Sequence, residues 1–246
     1  MDTAAGFEYA FNCGDGSGYG VFGASSSVTC PTSDNGVRSV KAKIRDKDGG
    51  VTEYTDSVTV NNVAPTATAN APSPVAEGST FVVSLTSPVD PSSVDTAAGF
   101  HYAFACNGAS LAGSTYALTG TTSSASCFFD DGPSNHTVRM RVIDKDGGFT
   151  EYTPSVHVDN VAPTATLAND GPINEGASAT VSFSNKFDPS GPDTTAGFHY
   201  AYACDGSSLA GSTYAGSSAI DHTSCSFDDG PSSHTVKAPL PSTRRT

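Results

Sequence analysis

The chain has 246 residues, an apolar fraction of 37%, and 25 acidic side chains against 12 basic ones, a formal charge of −13. That charge repels phosphate backbones and anionic lipid, which argues against nucleic acid and acidic membrane surfaces as partners and permits divalent cations. No uninterrupted apolar run approaches the ~18 residues that a membrane-spanning helix needs.

Taken in chain order, the apolar residues recur with period two, the mark of strands with one buried face. Val40, Ala42 and Ile44 predict a strand, and Val58 and Val60 another. Between them Asp46-Lys-Asp-Gly-Gly50 supplies the left-handed residues of a tight hairpin. Asn62-Val-Ala-Pro-Thr66 reads as a short joint stiffened by proline. Further strands follow at Phe81, Val83 and Leu85, and at Phe100, Tyr102, Phe104 and Cys106. A Gly/Ser-rich loop runs from Asn107 to Ser126, and Asp130-Asp-Gly-Pro133 makes a turn. Val138, Met140 and Val142, the turn Asp144-Lys-Asp-Gly-Gly148, and Val156 and Val158 form a second hairpin. Ala179, Val181 and Phe183, then Phe198, Tyr200, Tyr202 and Cys204, repeat the earlier parities. No window predicts a capped helix of useful length.

The repeat organises these elements. Asp-Lys-Asp-Gly-Gly recurs from Asp46 to Asp144, and Asn-Val-Ala-Pro-Thr from Asn62 to Asn160, in both cases 98 residues later. Glu77-Gly78 returns as Glu175-Gly176, and the string starting at Asp95 returns at Asp193. Residues 63–160 therefore read as one complete unit. Residues 1–62 read as a partial unit without its N-terminal strands, and 161–246 as one without its last strands. From Lys237 the tail diverges from the repeat, as expected of either a reading-frame slip near Ser242-Thr243-Arg244 or an arbitrary, divergent end. About seven short strands in roughly 98 residues is the pattern of an immunoglobulin-like β-sandwich. The expected fold is all-β: tandem immunoglobulin-like β-sandwich modules with a repeat of about 98 residues.

Six cysteines fall two per unit: Cys13 and Cys30, Cys106 and Cys127, Cys204 and Cys225. The repeat makes each pair local to its unit, and the absence of CxxC spacing favours disulfides over free thiols or a zinc site. Disulfides belong to an oxidising compartment, hence an extracellular or cell-surface location.

From Val138 to Leu167, "VRMRVIDKDGGFTEYTPSVHVDNVAPTATL" resembles bacterial polycystic-kidney-disease-type (PKD) and related immunoglobulin-like repeats, as does "EGSTFVVSL" followed by "DPS". The strand Phe100-His-Tyr-Ala-Phe-Ala-Cys106 stands where PKD units usually carry a Trp-Asp-Phe-Gly-Asp-Gly-like sequence. The resemblance implies a secreted or surface protein whose tandem modules act as spacers or binding units, and it brings no catalytic residues.

Candidate sites are few. The Asp144 turn lacks the ligand spacing and twelfth-position Glu of a calcium-binding EF-hand loop. A different calcium site is expected if Asp144 or Asp146 joins Asp130, Asp131 or Asp159 around one ion at a module junction. Tyr116 and Tyr214, in the loops "LAGSTYA", are candidates for glycan binding, because loops at the ends of a sandwich carry recognition. His101, His136, His199 and His234 read as surface residues, and no motif singles out a nucleophilic serine. The expected function is a non-catalytic structural or adhesion spacer whose partners are neighbouring modules of the same chain and, beyond them, a surface glycan or protein. The alternatives are a calcium- or glycan-binding module, or an accessory region of a larger secreted enzyme.

Overall fold

The computed structural model describes residues 6–241. The tail residues Ser242 to Arg244 and the repeat start at Asp2 lie outside this range. Fifteen strands in five three-stranded sheets, two short α-helices and one 3-10 turn at Tyr116–Leu118 make up the described chain.

The N-terminal group has three antiparallel strands, β1 (Glu8–Asn12), β2 (Gly36–Arg45) and β3 (Val51–Val60), in the order β1-β2-β3. The Asp46 turn closes the β2–β3 hairpin. Asp46 Oδ1 accepts the backbone N–H of Asp48 at 3.0 Å and of Gly50 at 2.7 Å, and Gly49 takes a φ of +89°. The Asp144 turn repeats this geometry, with Asp146 N–H at 2.9 Å, Gly148 N–H at 2.8 Å and Gly147 at φ +86°. The aspartate thus replaces ladder bonds that the turn gives up.

The middle group is a complete sandwich. One sheet contains β4 (Thr66–Asn70), β6 (Ser79–Val89) and β8 (Ser124–Phe129), ordered β4-β6-β8. Facing it are β7 (His101–Ala105), β10 (Arg139–Ile143) and β11 (Phe149–Tyr152), continued by β9 (Ser134–Thr137) and β12 (Ser155–Asp159). The short β5 (Val75–Ala76) pairs in parallel with β12. Strands β9 and β10 form one run broken at Val138, whose N–H goes to the Pro154 carbonyl at 3.0 Å. Phe81, Val83, Leu85, Cys127 and Phe129 from one sheet meet Val138, Met140, Val142, Val156 and Val158 from the other. Each such side chain stabilises by roughly 1.5–3 kcal/mol on burial, so the alternating residues read from the sequence form the core. Tyr102 and Phe104 pack against that core rather than forming an open aromatic platform.

The C-terminal group contains β13 (Thr164–Asn169), β14 (Ser178–Phe187) and β15 (His222–Ser226), ordered β13-β14-β15. The strand expected over Phe198–Cys204 is reduced to isolated bridges, Tyr200 with Ser218 and Ala203 with Lys237. Its counterpart β7 is a full strand because β10 pairs along all five of its residues. Past the Lys237 bridge no described strand is available as partner, so no ladder forms.

The presence of a facing sheet, not residue type or place in the repeat, decides burial. Val156 is 0% exposed in the middle sandwich, whereas its repeat counterpart Val58 is 48% exposed on a sheet that no second sheet covers.

Two short α-helices occur where no capped helix of useful length was expected, α1 (Ser93–Ala98) and α2 (Gly191–Ala196). Each is a single capped turn and a half. Ser92 and Ser190 accept the N–H of Asp95 and Asp193, at 3.1 and 3.2 Å, and Gly99 and Gly197 end the helices at positive φ. Six residues are too few for an apolar periodicity to show, so only the caps could have revealed them.

Candidate functional site

The three cysteine pairs are disulfides, Cys13–Cys30, Cys106–Cys127 and Cys204–Cys225, and no described cysteine is free. Each clips the loop beside its sheet. Cys127 and Cys225 are buried at 2% and 1% exposure, so the bond fixes that loop to the core.

The acidic residues gather at the two joints of the chain. At the first joint, Asp34 comes from the loop before β2, Asp90 and Asp95 from the end of β6 and from α1, and Asp144 and Asp146 from the β10–β11 turn. Lys145 Nζ lies 3.1 Å from both carboxylate oxygens of Asp34, 3.1 Å from Asp95 Oδ1 and 2.5 Å from Asp146 Oδ2. Asp146, then Asp34 and Asp95, hold the lysine above its ordinary pKa, and Lys145 in turn lowers that of Asp34. Burial pushes the Asp95 carboxyl up, and Lys145 opposes that shift. Asn62 of the linker donates its amide to Asp144 Oδ2 at 2.9 Å, and Ser92 donates its hydroxyl to the Ser33 carbonyl at 3.0 Å.

At the second joint the buried Glu77 is central. Its Oε1 accepts the N–H of Val161 in the linker and its Oε2 that of Gly132, both at 2.7 Å. Asp131 and Asp193 bring carboxylate oxygens to the same place, and Asp130 Oδ1 accepts the N–H of Gly191 in α2 at 3.1 Å. Burial raises the pKa of Glu77, the two backbone N–H groups lower it, and Asp193 and Asp188 raise it again. Gly78 lies so close to Pro189 that a Cβ would stand 2.4 Å from the proline carbonyl oxygen. The repeat counterpart of Glu77, Glu175, is exposed.

The expected grouping of calcium ligands is therefore corrected. Asp144 and Asp146 lie at one end of the β9–β10 run, Asp130 and Asp131 at the other, and ten extended residues span on the order of 30 Å. One ion cannot join them. Asp159 lies at the Asp131 end, where its carbonyl accepts the Glu77 N–H at 3.0 Å, but its exposed carboxylate pairs with His157, Oδ1 3.2 Å from Nε2. The sequence reading missed Asp34, Glu77, Asp90, Asp95, Asp188 and Asp193. The repeated Glu-Gly at 77 and 175, the Asp-Pro-Ser at 90 and 188, and the Ser-x-x-Asp caps were the signals available.

Tyr116 and Tyr214 anchor loops. Tyr116 stacks on His101 with centroids 3.8 Å apart, and its hydroxyl donates to the Ala98 carbonyl at 3.1 Å. Tyr214 stacks on His199 at 3.9 Å and donates to the Ala196 carbonyl at 3.0 Å. Each histidine is half-buried under its tyrosine rather than free at the surface.

Ser134 Oγ lies 2.9 Å from His136 Nε2, and Ser232 Oγ 2.8 Å from His234 Nε2. Both hydroxyls donate to a backbone carbonyl, Asp131 at 2.7 Å and Asp229 at 2.8 Å. The histidine must then supply the proton of the Ser–His contact, the reverse of a general base activating a nucleophile. His136 also stacks on Phe129 and His234 on Phe227.

No protein-family model matches the chain, and no curated protein matches it. Solved structures overlap it loosely. The fibronectin(III)-like modules of Clostridium thermocellum CbhA are 15% identical, with 62% of this chain and 77% of that one covered at a TM-score of 0.29. The EC1-4 region of PcdhgB3 is 14% identical, with 70% and 44% covered at 0.30. The FN1-FN3 domains of chicken CNTN1 are 10% identical, with 95% and 77% covered at 0.27. The chain is similar to these multidomain β structures, and the sandwich itself is established by the strand order of the middle group. No described helix is long and apolar enough to cross a membrane.

Proposed function

We propose that the chain is a stretch of an extracellular, non-catalytic spacer or adhesion array, built of PKD-type or related immunoglobulin-like units with boundaries near residues 62 and 160. The observation that carries this reading is the pair of joints. At each, the start of a short helix is tied to the turn of the preceding unit, Ser92 before α1 to Ser33 at the first and Gly191 of α2 to Asp130 at the second, with Lys145 to Asp34 and Glu77 to Val161 as further ties. A chain of beads with braced joints transmits position and tension along its length, which is the work of a spacer.

Three disulfides support a location outside the cytoplasm. The Ser–His contacts, with their protons already committed, support a non-enzymatic role. Adjoining units of the same chain are the first partners, and a surface protein or glycan at the array's end is the further one.

Small-angle scattering tests the reading. A compact globule of this length has a radius of gyration of about 18 Å. Units in line, each with strands of roughly 33 Å, give a rod on the order of 90–100 Å and a radius of gyration of about 25–30 Å. The compact value would rule out the spacer.

A further inference from the structure

Resting on the tandem-unit reading above, we propose that the first joint binds a divalent cation of the calcium type, ligated by Asp90, Asp95 and Asp144. One carboxylate oxygen from each lies within 4.8 Å of the others. Oxygens that share one calcium at about 2.4 Å stand at most about 4.8 Å apart, so the cluster has the right size.

A second observation points to the ligand itself. Asp95 is 0% exposed; its Oδ1 meets the Lys145 ammonium at 3.1 Å, while its Oδ2 accepts no hydrogen bond. Asp90 Oδ2 is enclosed in the same way without a hydrogen-bond partner. Enclosing carboxylate oxygens with no donor is costly, and a positive charge is what offsets it.

Lys145 meets only part of that need. Its ammonium lies 3.1 Å from Asp95 Oδ1 and is shared with Asp34 and Asp146. Asp95 Oδ2 and Asp90 Oδ2 remain without a hydrogen-bond partner. Asp144 commits Oδ1 to two backbone N–H groups, which leaves Oδ2, shared with the Asn62 amide, to complete the set. Five carboxylates meet one ammonium at this joint, a net charge that a divalent ion halves.

The ligands are all oxygens, with no thiolate or imidazole among them, which selects a hard cation. A cleft of about 180 Å³, lined by Asp34, Asn62, Asp90 and Ser92 among others, borders the cluster on the Asp90 side. Magnesium, which demands ligands at about 2.0–2.1 Å and holds its waters, suits this spread of oxygens less well.

The test uses the whole chain, freed of divalent ions with EDTA and desalted. Calcium chloride is titrated in by calorimetry and then tested for its effect on thermal melting, with magnesium chloride alongside. The expected result is a calcium Kd of about 10⁻⁴–10⁻³ M, as in extracellular modules, with weaker magnesium binding. At about 10 mM calcium the melting temperature rises by roughly 3–11 °C.

Asp95→Asn reduces calcium affinity at least tenfold, on the order of one lost charged ligand, yet melts in EDTA no lower than the parent chain. Asp159→Asn, away from the cluster, keeps the full response. The inference is overturned if calcium produces neither heat nor a melting shift, or if Asp95→Asn responds like the parent chain. Scattering in EDTA separates the two readings. An elongated chain without a calcium response rejects only the ion, whereas a compact one rejects the spacer beneath it.

Discussion

Lys145 and Asp34, 111 residues apart in sequence, meet with the ammonium 3.1 Å from both carboxylate oxygens, and so join the β10–β11 turn to the loop that precedes β2. The contact is one tether across the first joint. Lys145→Met keeps the length of the side chain and removes its charge. The linker at 61–65 should then be cut several-fold faster by a protease, while the middle sandwich melts as before. High salt should produce the same loosening in the parent chain, because the pair is partly exposed and screened. An unchanged cleavage rate in both cases would show that other contacts hold the joint.

Glu77 is the corresponding brace at the second joint. In Glu77→Gln one of the two acceptors becomes an NH₂ group facing a backbone N–H, either of Val161 or of Gly132. Losing a charge-assisted bond and opposing two donors costs about 2–3 kcal/mol. Chemical denaturation of the whole chain measures it. Glu175→Gln, the exposed counterpart, should change stability by less than about 0.5 kcal/mol.

On the outer face of the middle sandwich, Glu151 receives Arg141 through Nη2 at 2.6 Å and Nε at 3.1 Å, and Arg139 at 2.7 Å. Arg141 is only 6% exposed and also lies over the Phe149 ring at 3.9 Å. Glu151→Gln should destabilise by about 3 kcal/mol, because it leaves a buried guanidinium without its counter-charge. A loss below about 1 kcal/mol would mean that water reaches Arg141.

The pH dependence has two opposed parts. Burial raises the pKa of Asp95, Glu77 and Asp188, so their folded forms favour the proton. Their contribution to stability is greatest below the ordinary carboxylate values and is lost as pH rises through the raised ones. Arg141 and Lys145 lower Glu151 and Asp34, whose contribution is present above the ordinary values and is lost as pH falls through the lowered ones. In EDTA the melting temperature should therefore rise from about pH 7 to about pH 5 and fall below about pH 4. With calcium present the first rise should flatten, since the ion takes the place of the proton. A steady fall from pH 7 downward would contradict the assignment of strained carboxylates to the joints.

Tyr116→Ala removes the ring stacked on His101 and the hydroxyl bonded to Ala98. It should cost about 1–2 kcal/mol of stability, read from denaturant midpoints. If stability is unchanged while binding to a glycan array disappears, Tyr116 serves recognition instead.

The sequence alone determined the strands around Phe81, Val138, Val156 and Val181, the hairpin turns and the cysteine pairs, because each depends on short-range rules, while it overstated the strand at Phe198–Cys204. Period-two alternation at Phe81, Val83 and Leu85 assigns a face wherever the strand ends up, and Asp-Gly at a hairpin tip needs no distant partner. Tertiary structure decided what depends on which ends of which strands come together. Asp144 and Asp130 look alike in sequence, but the β9–β10 run separates them and sends them to different joints. Asp95 looks like an ordinary surface acid until α1 turns it into the first joint beside Asp144 and Lys145. Val58 and Val156 carry the same side chain at the same place in the repeat, and the presence of a facing sheet makes one core and the other surface. The opening charge of −13 is likewise two facts. Some of it is a solvated surface, and some is carboxylate forced together where units meet, and only there does it demand a cation.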